Sequence, residues 1–276
     1  MKFVVLSIAI AAATQLPDDT ARVLARLDAY LASYEPRLSE LVADERMEQV
    51  VRYVSSGNPG RNLEQRRLLS SEVAFVALDN AGWLGIRHVK KVDDKPVALG
   101  AQSLEASLRL PKQDAARALL RASAAHNLGP ARTTNLPNLP LELLHPRNRH
   151  RFRPHSEGRE MVGAVETTCI VLAEQDTPTL IGHPKTGGDM PSEVRAWVDD
   201  AGRLLRAQVT VYPGTRGGSH DQLLRVEFAD SPALGLLVPT EMYEEFRLPW
   251  PRSGSALAHY SNFRRFQTAA RIVPKP

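Results

Sequence analysis

Cysteine is almost absent from the chain: Cys169 stands alone, which excludes an internal disulfide and fits a small buried apolar side chain better than a nucleophile. Charge of one sign is not in great excess either. The 35 basic residues are interleaved with 31 acidic ones for a net charge of +4, so the basic balance is weak support for a nucleic-acid partner. No apolar run is long enough to span a bilayer, which takes about 20 residues. With 43% hydrophobic and 24% charged residues, neither wholesale disorder nor a multi-span membrane protein is expected. Repeats and low-complexity tracts are missing as well.

Reaction signatures are also wanting. The chain contains no His-Glu-x-x-His, no nucleophile elbow and no glycine-rich phosphate loop. Lys185-Thr186-Gly187 resembles one element of serine acyl-enzymes, but the Ser-x-x-Lys that must accompany it is missing. His145, His150 and His155 recur at steps of five, which places them on one face of neither a strand nor a helix, and Arg147, Arg149, Arg151 and Arg153 between them would repel a divalent cation. That stretch reads as a solvated strand or loop with a basic face. Its arginines could hold an anion such as a phosphate head group, because guanidinium forks match phosphate oxygens. No catalytic residue, metal site or cofactor is expected.

What the sequence does contain is alternation. From Leu204 to Tyr212, Leu205, Ala207, Val209 and Val211 share one face, with Arg206, Gln208 and Thr210 on the other. Leu223 to Phe228 repeats the pattern, opposing Leu224, Val226 and Phe228 to Arg225 and Glu227. Glu193 to Asp230 therefore reads as a three-stranded antiparallel meander, turned first by Asp199-Asp200-Ala201-Gly202 and then by the loop from Pro213 to Gly218. The side chains Leu205, Val209, Val211, Val226 and Phe228 are either plain core or the lining of an apolar groove.

Upstream, residues 18–42 carry Leu24, Leu27, Leu31, Tyr34, Leu38 and Leu41 at helical steps, a stripe suited to covering a sheet. Pro36 is expected to kink or divide this helix. Strand patterns at Arg46 to Ser55, Leu68 to Leu78 and Trp83 to Val92 follow, with a tight turn after Val92, and a second helical segment covers 102–128. Further strands are expected at Met161 to Ala173, Thr179 to Gly182, Leu234 to Val238, Met242 to Leu248 and Ala256 to Gln267. Met1-Lys2 with the apolar run Phe3 to Ala13 is signal-peptide-like, the alternative being a buried first strand. No cysteine follows that run, so lipid attachment there is not expected. The expectation is a leader over 1–16, a single β-rich domain over 17–276, and a periplasmic or secreted protein.

Six segments carry a resemblance. They are Ser71-Glu-Val-Ala-Phe-Val76, Ile86-Arg-His-Val-Lys-Lys-Val-Asp-Asp-Lys-Pro-Val97, Asn127-Leu-Gly-Pro-Ala-Arg-Thr-Thr-Asn-Leu-Pro137, Pro178-Thr-Leu-Ile181, Trp197-Val-Asp-Asp-Ala-Gly-Arg-Leu-Leu-Arg206 and Tyr260-Ser-Asn-Phe-Arg-Arg-Phe266. The set resembles a group of exported bacterial proteins of unassigned function. The chain departs at His88 and Asp94, where aspartate and glycine are expected. Its C-terminal part, with Trp-Val-Asp-x-x-Gly-Arg and the later Val238-Pro239, is similar in pattern to the periplasmic lipoprotein carriers and sorting proteins. That likeness implies an α+β fold, a large antiparallel sheet curled into an open half-barrel around a helix, with a concave face apolar enough for acyl chains. The partners it implies are a lipid or a lipoprotein. A structural or interaction module of the envelope, bound to another envelope protein, is the alternative.

Overall fold

In a computed structural model, the described residues are 18–39, 41–53, 63–78, 82–98, 104, 121–130, 132–183, 185–214, 220–248 and 252–265. The leader-like segment lies outside them, as does most of the second helical segment, of which 121–124 is helical.

Eleven strands form one antiparallel sheet. They are β1 (Leu41–Tyr53), β2 (Leu63–Leu78), β3 (Gly82–Val92), β4 (Lys95–Pro96), β5 (Phe152–Val162), β6 (Val165–Glu174), β7 (Ser192–Asp199), β8 (Leu204–Val211), β9 (Gln222–Ser231), β10 (Leu236–Arg247) and β11 (Arg252–Arg265). Their order, β4-β3-β2-β1-β11-β10-β9-β8-β7-β6-β5, leaves the sheet unclosed. It is two meanders joined at mid-sheet by the pairing of β1 with β11.

Two helices show that the sheet is curled. Helix α1 (Asp18–Leu38) touches β2 near one edge and β5 at the other, while α2 (Leu139–Leu144) lies against β3, β7 and β8. Short elements can reach such distant strands only if the sheet wraps around them. The result is the half-barrel, with one apolar cluster joining Leu24, Leu27, Leu31, Tyr34 and Leu38 of α1 to the inward residues of the sheet.

Local departures from the sequence pattern have physical causes. Leu41 continues the helical spacing but begins β1, so α1 stops at Leu38 rather than 42. Pro36 does not divide α1 into two. It lies in the last turn, where its missing N–H costs one ladder bond near an end that frays anyway. The run from Met161 to Ala173 splits into β5 and β6 at Gly163, whose φ of 60° suits the first central position of a two-residue hairpin. Leu234 to Val238 and Met242 to Leu248 merge into β10, because Pro239 sits beside a bulge, where the absent donor is tolerated. Thr179 to Gly182 is a loop carrying one isolated bridge, Gly182 to Asp189.

The stretch from His145 to His155, expected as a strand or loop, begins as a 3-10 helix, Pro146–Arg151, preceded by α2, and is strand only from Phe152, where β5 starts. The turn after Val92 is tight even without glycine. Asp93 and Asp94 take φ of 50° and 61°, and Leu68 N–H donates to the Asp93 carboxylate at 2.8 Å.

Candidate functional site

The concave face has an apolar half and a polar half. On the apolar half, Leu205, Val209 and Val211 of β8 and Val226 and Phe228 of β9 point inward together, as their alternation requires. They are 6, 0, 1, 0 and 7% exposed, covered within the cluster that α1 and the leucines of α2 complete. The motif from Trp197 to Arg206 explains how α1 comes so near. Asp199 accepts from the backbone N–H of Ala201 at 2.9 Å and of Arg203 at 2.8 Å, which closes the β7–β8 turn. Gly202 then sits at φ 84° directly under α1, and Arg26 of α1 donates to the Asp200 carbonyl at 2.9 Å.

The remaining attachments of α1 are polar and peripheral. Arg37 donates to the carbonyls of Leu234 and Gly235 at 3.1 and 2.7 Å, Asp28 pairs with Arg149, and Glu35 meets His145 Nε2 at 3.0 Å. None of them belongs to the sheet's ladder.

The polar half centres on two buried ion pairs. Arg87 of β3 forks onto Glu45 of β1 at 2.5 and 2.8 Å and gives its other donors to the Asn135 side chain and carbonyl at 3.2 and 2.7 Å. Burial works against the Arg87 charge, and the facing Glu45 carboxylate more than offsets it, so the guanidinium is held ionised more firmly than usual. Burial, with Glu45 close by, raises the neighbouring Tyr260 hydroxyl far above a normal phenol.

Arg132 forms the second pair with Glu244 of β10 at 2.7 Å. It also donates to the Leu128 and Pro130 carbonyls at 2.9 Å and lies 3.5 Å above the Phe246 ring, which itself covers Gly254. Gln49 accepts from Leu128 N–H at 2.9 Å, Gln222 donates to Glu244 at 2.9 Å, and Asn127 and Asn135 join the two pairs at 3.1 Å. Asn127, Leu128, Arg132 and Asn135 are thereby bolted across β1, β3 and β10. Both carboxylates face arginine forks, an arrangement suited to holding a wall in place rather than to moving protons.

These residues were overlooked in the sequence, although a signal exists. Glu45 and Gln49 share the inward face of β1 with Met47, and Glu244 lies inward between Met242 and Phe246. A charge at an inward position implies a buried partner, and Asn127, Arg132 and Asn135 fall within one of the six segments of resemblance.

Three of the four arginines considered for an anion are dealt to separate partners. Arg147 pairs with Glu142 at 2.5 Å, Arg149 with Asp28 and the Leu144 carbonyl, and Arg151 with the Pro178 carbonyl. Arg153 is exposed and lines an open cleft of about 410 Å3 with His155 and Gln175. His145 is engaged with Glu35, while His150 and His155 lie apart and exposed. Among the described residues no three His, Cys, Asp or Glu side chains are placed to share a metal ion. Cys169 is buried between β5 and β7 on the outer face, and burial, with Glu157 beside it, pushes its thiol up to about 12.

Several solved structures are similar to the chain. A candidate outer membrane lipoprotein-sorting protein domain from Vibrio parahaemolyticus is 13% identical, with 88% of this chain and 93% of that one covered at a TM-score of 0.42. A DUF1329 family protein from Desulfovibrio piger is 13% identical, with 90% and 94% covered at 0.42. A LolA superfamily protein from Nitrosomonas europaea is 14% identical, with 93% and 97% covered at 0.31. No family model matches the sequence, and no curated protein matches it.

Proposed function

We propose that this chain is an exported, non-catalytic protein that binds an apolar ligand or an acylated partner on the concave face of its half-barrel. The observation that supports this is the pairing of the apolar inward run of Leu205, Val209, Val211, Val226 and Phe228 with a cover, α1, that takes no part in the sheet's hydrogen bonding. Burying five large apolar side chains of α1 contributes about 1.5–3 kcal/mol each, or roughly 8–15 kcal/mol gross. An acyl chain of about sixteen carbons gains on the order of 12 kcal/mol at about 0.8 kcal/mol per methylene. The two are comparable, so such a chain can compete with α1 for the face. The wall bolted by Arg87 and Arg132 would stay in place. The signal-like start supports a periplasmic or secreted location, and among the described residues no helix is long and apolar enough to cross a membrane.

A second reading has its own observation. The five inward side chains are at most 7% exposed beneath α1, so the same fold serves as an interaction module of the envelope with a filled core. Titration with a fluorescent fatty-acyl probe, followed by amide exchange, separates the two. Binding that loosens the amides of α1 while β8 stays protected fits the first. Absence of binding, with α1 as protected as the sheet, fits the second.

A further inference from the structure

Where β10, β11 and β1 finish side by side, the outer face carries an unbalanced set of donors. Ser253 of β11 lies opposite Arg247 of β10 and also opposite Arg52 of β1. Directly paired residues of antiparallel strands project to one face with Cβ atoms about 5 Å apart. Ser253 therefore stands between two arginine side chains, one on each neighbouring strand. One pleat along β11, Ser255 stands beside Glu245. These residues line an open cleft of about 390 Å3 together with Tyr243 and His220.

Several arginines elsewhere on the outer face are matched to acids: Arg206 to Glu227 at 2.6 Å, Arg195 to Glu157 at 3.1 Å, Arg203 to Asp199 at 2.8 Å. Here the matching is incomplete. Arg247 makes no side-chain hydrogen bond or ion pair among the described residues. Arg52 gives its Nε to Glu64 at 2.9 Å, leaving both terminal nitrogens, and Arg252, stacked over the Tyr53 ring, also lines the cleft. The one carboxylate in the cleft, Glu245, is held by the Tyr243 hydroxyl at 2.8 Å and faces His220 at 3.4 Å.

We propose that the Arg52–Ser253–Arg247 row binds a phosphate group, carried either by a free phosphoryl compound or by an anionic lipid headgroup. Two guanidinium forks can each face two phosphate oxygens, and the serine hydroxyl between them supplies a neutral donor to the same group. The row lies on the outer face and does not depend on what the concave face holds.

Binding of inorganic phosphate by titration calorimetry, and flotation with phosphatidylglycerol or phosphatidylcholine vesicles, tests the assignment on the full chain. Arg52→Gln/Arg247→Gln is compared with Arg46→Gln/Lys91→Gln, which removes the same net charge from exposed sites elsewhere. Ser253→Ala removes the hydroxyl without changing charge, and thermal melts confirm that every variant is folded. The row variant should bind at least about tenfold more weakly, as expected for loss of charge-assisted hydrogen bonds, with the control unchanged and Ser253→Ala intermediate. That pattern with inorganic phosphate supports the site, and the same pattern confined to phosphatidylglycerol vesicles supports it with a lipid headgroup as the source. Equal weakening by both double variants assigns the binding to net charge and overturns the proposal. Failure to bind either probe overturns it too.

Discussion

A Cβ built on Gly202 would lie 2.6 Å from the carbonyl oxygen of Arg26, so the β7–β8 turn and helix α1 meet backbone to backbone. Gly202 also has φ 84°, a conformation that costs an L side chain about 1–2 kcal/mol before any clash. Overpacking against the helix adds about 1–3 kcal/mol more. Gly202→Ala should therefore lower stability in urea titration by about 2–5 kcal/mol and raise binding of a hydrophobic dye as α1 lifts. A loss below about 0.5 kcal/mol would show that the contact does not seat the helix.

The pair Arg132 and Glu244 supplies a second prediction. Removing one partner leaves an uncompensated buried charge, which costs about 3–5 kcal/mol, whereas apolar replacement of both is often neutral or stabilising. Arg132→Met alone should be strongly destabilising, and Arg132→Met/Glu244→Leu should regain most of the loss. A double-mutant cycle by denaturant unfolding measures this, and additive losses would argue against direct coupling.

How far the fold could be read from sequence depended on whether period alone was enough. The meander of β7, β8 and β9 was legible because its inward positions are apolar from Val194 to Val198, from Leu205 to Val211 and from Leu224 to Phe228. In β1 the inward positions include Glu45 and Gln49, so the pattern looked broken, and the partners that explain them lie far along the chain: Arg87 is 42 residues from Glu45, and Arg132 is 112 from Glu244. Such pairs are invisible to any local window. Pro140 and Pro146 masked α2 and the 3-10 helix for a different reason. Each occupies a first-turn position, where proline starts a helix rather than stopping one.

Asp94 makes the turn after Val92 tractable. Asp93 and Asp94 both have positive φ, the signature of a type I′ turn, whose second central position favours glycine. Asp94→Gly should stabilise the protein by about 0.5–1 kcal/mol, while Asp93→Ala should destabilise it by removing the acceptor for Leu68 N–H. Thermal melts of the two variants should shift in opposite directions.

Acid should weaken one tie on the outer face. The hydrogen bond from Arg195, opposed by a smaller burial effect, holds the Glu157 carboxyl below its ordinary 4.5. A carboxylate depressed in the folded state stabilises it above the unfolded value and loses that contribution as pH falls through the folded value. Wild type should exceed Glu157→Gln in stability by a small margin at pH 7, the pair being partly exposed, and the margin should close below about pH 4. A margin that persists at pH 2 would assign the effect to packing instead.

The most direct test of apolar binding is native mass spectrometry of the protein purified from the cell envelope, before and after lipid extraction. Bound apolar mass that extraction removes, with the folded chain recovered afterwards, is the predicted result. Protein that is ligand-free in every preparation, and that fails to take up lipid when mixed with it, would contradict the account and leave the filled half-barrel as an interaction module.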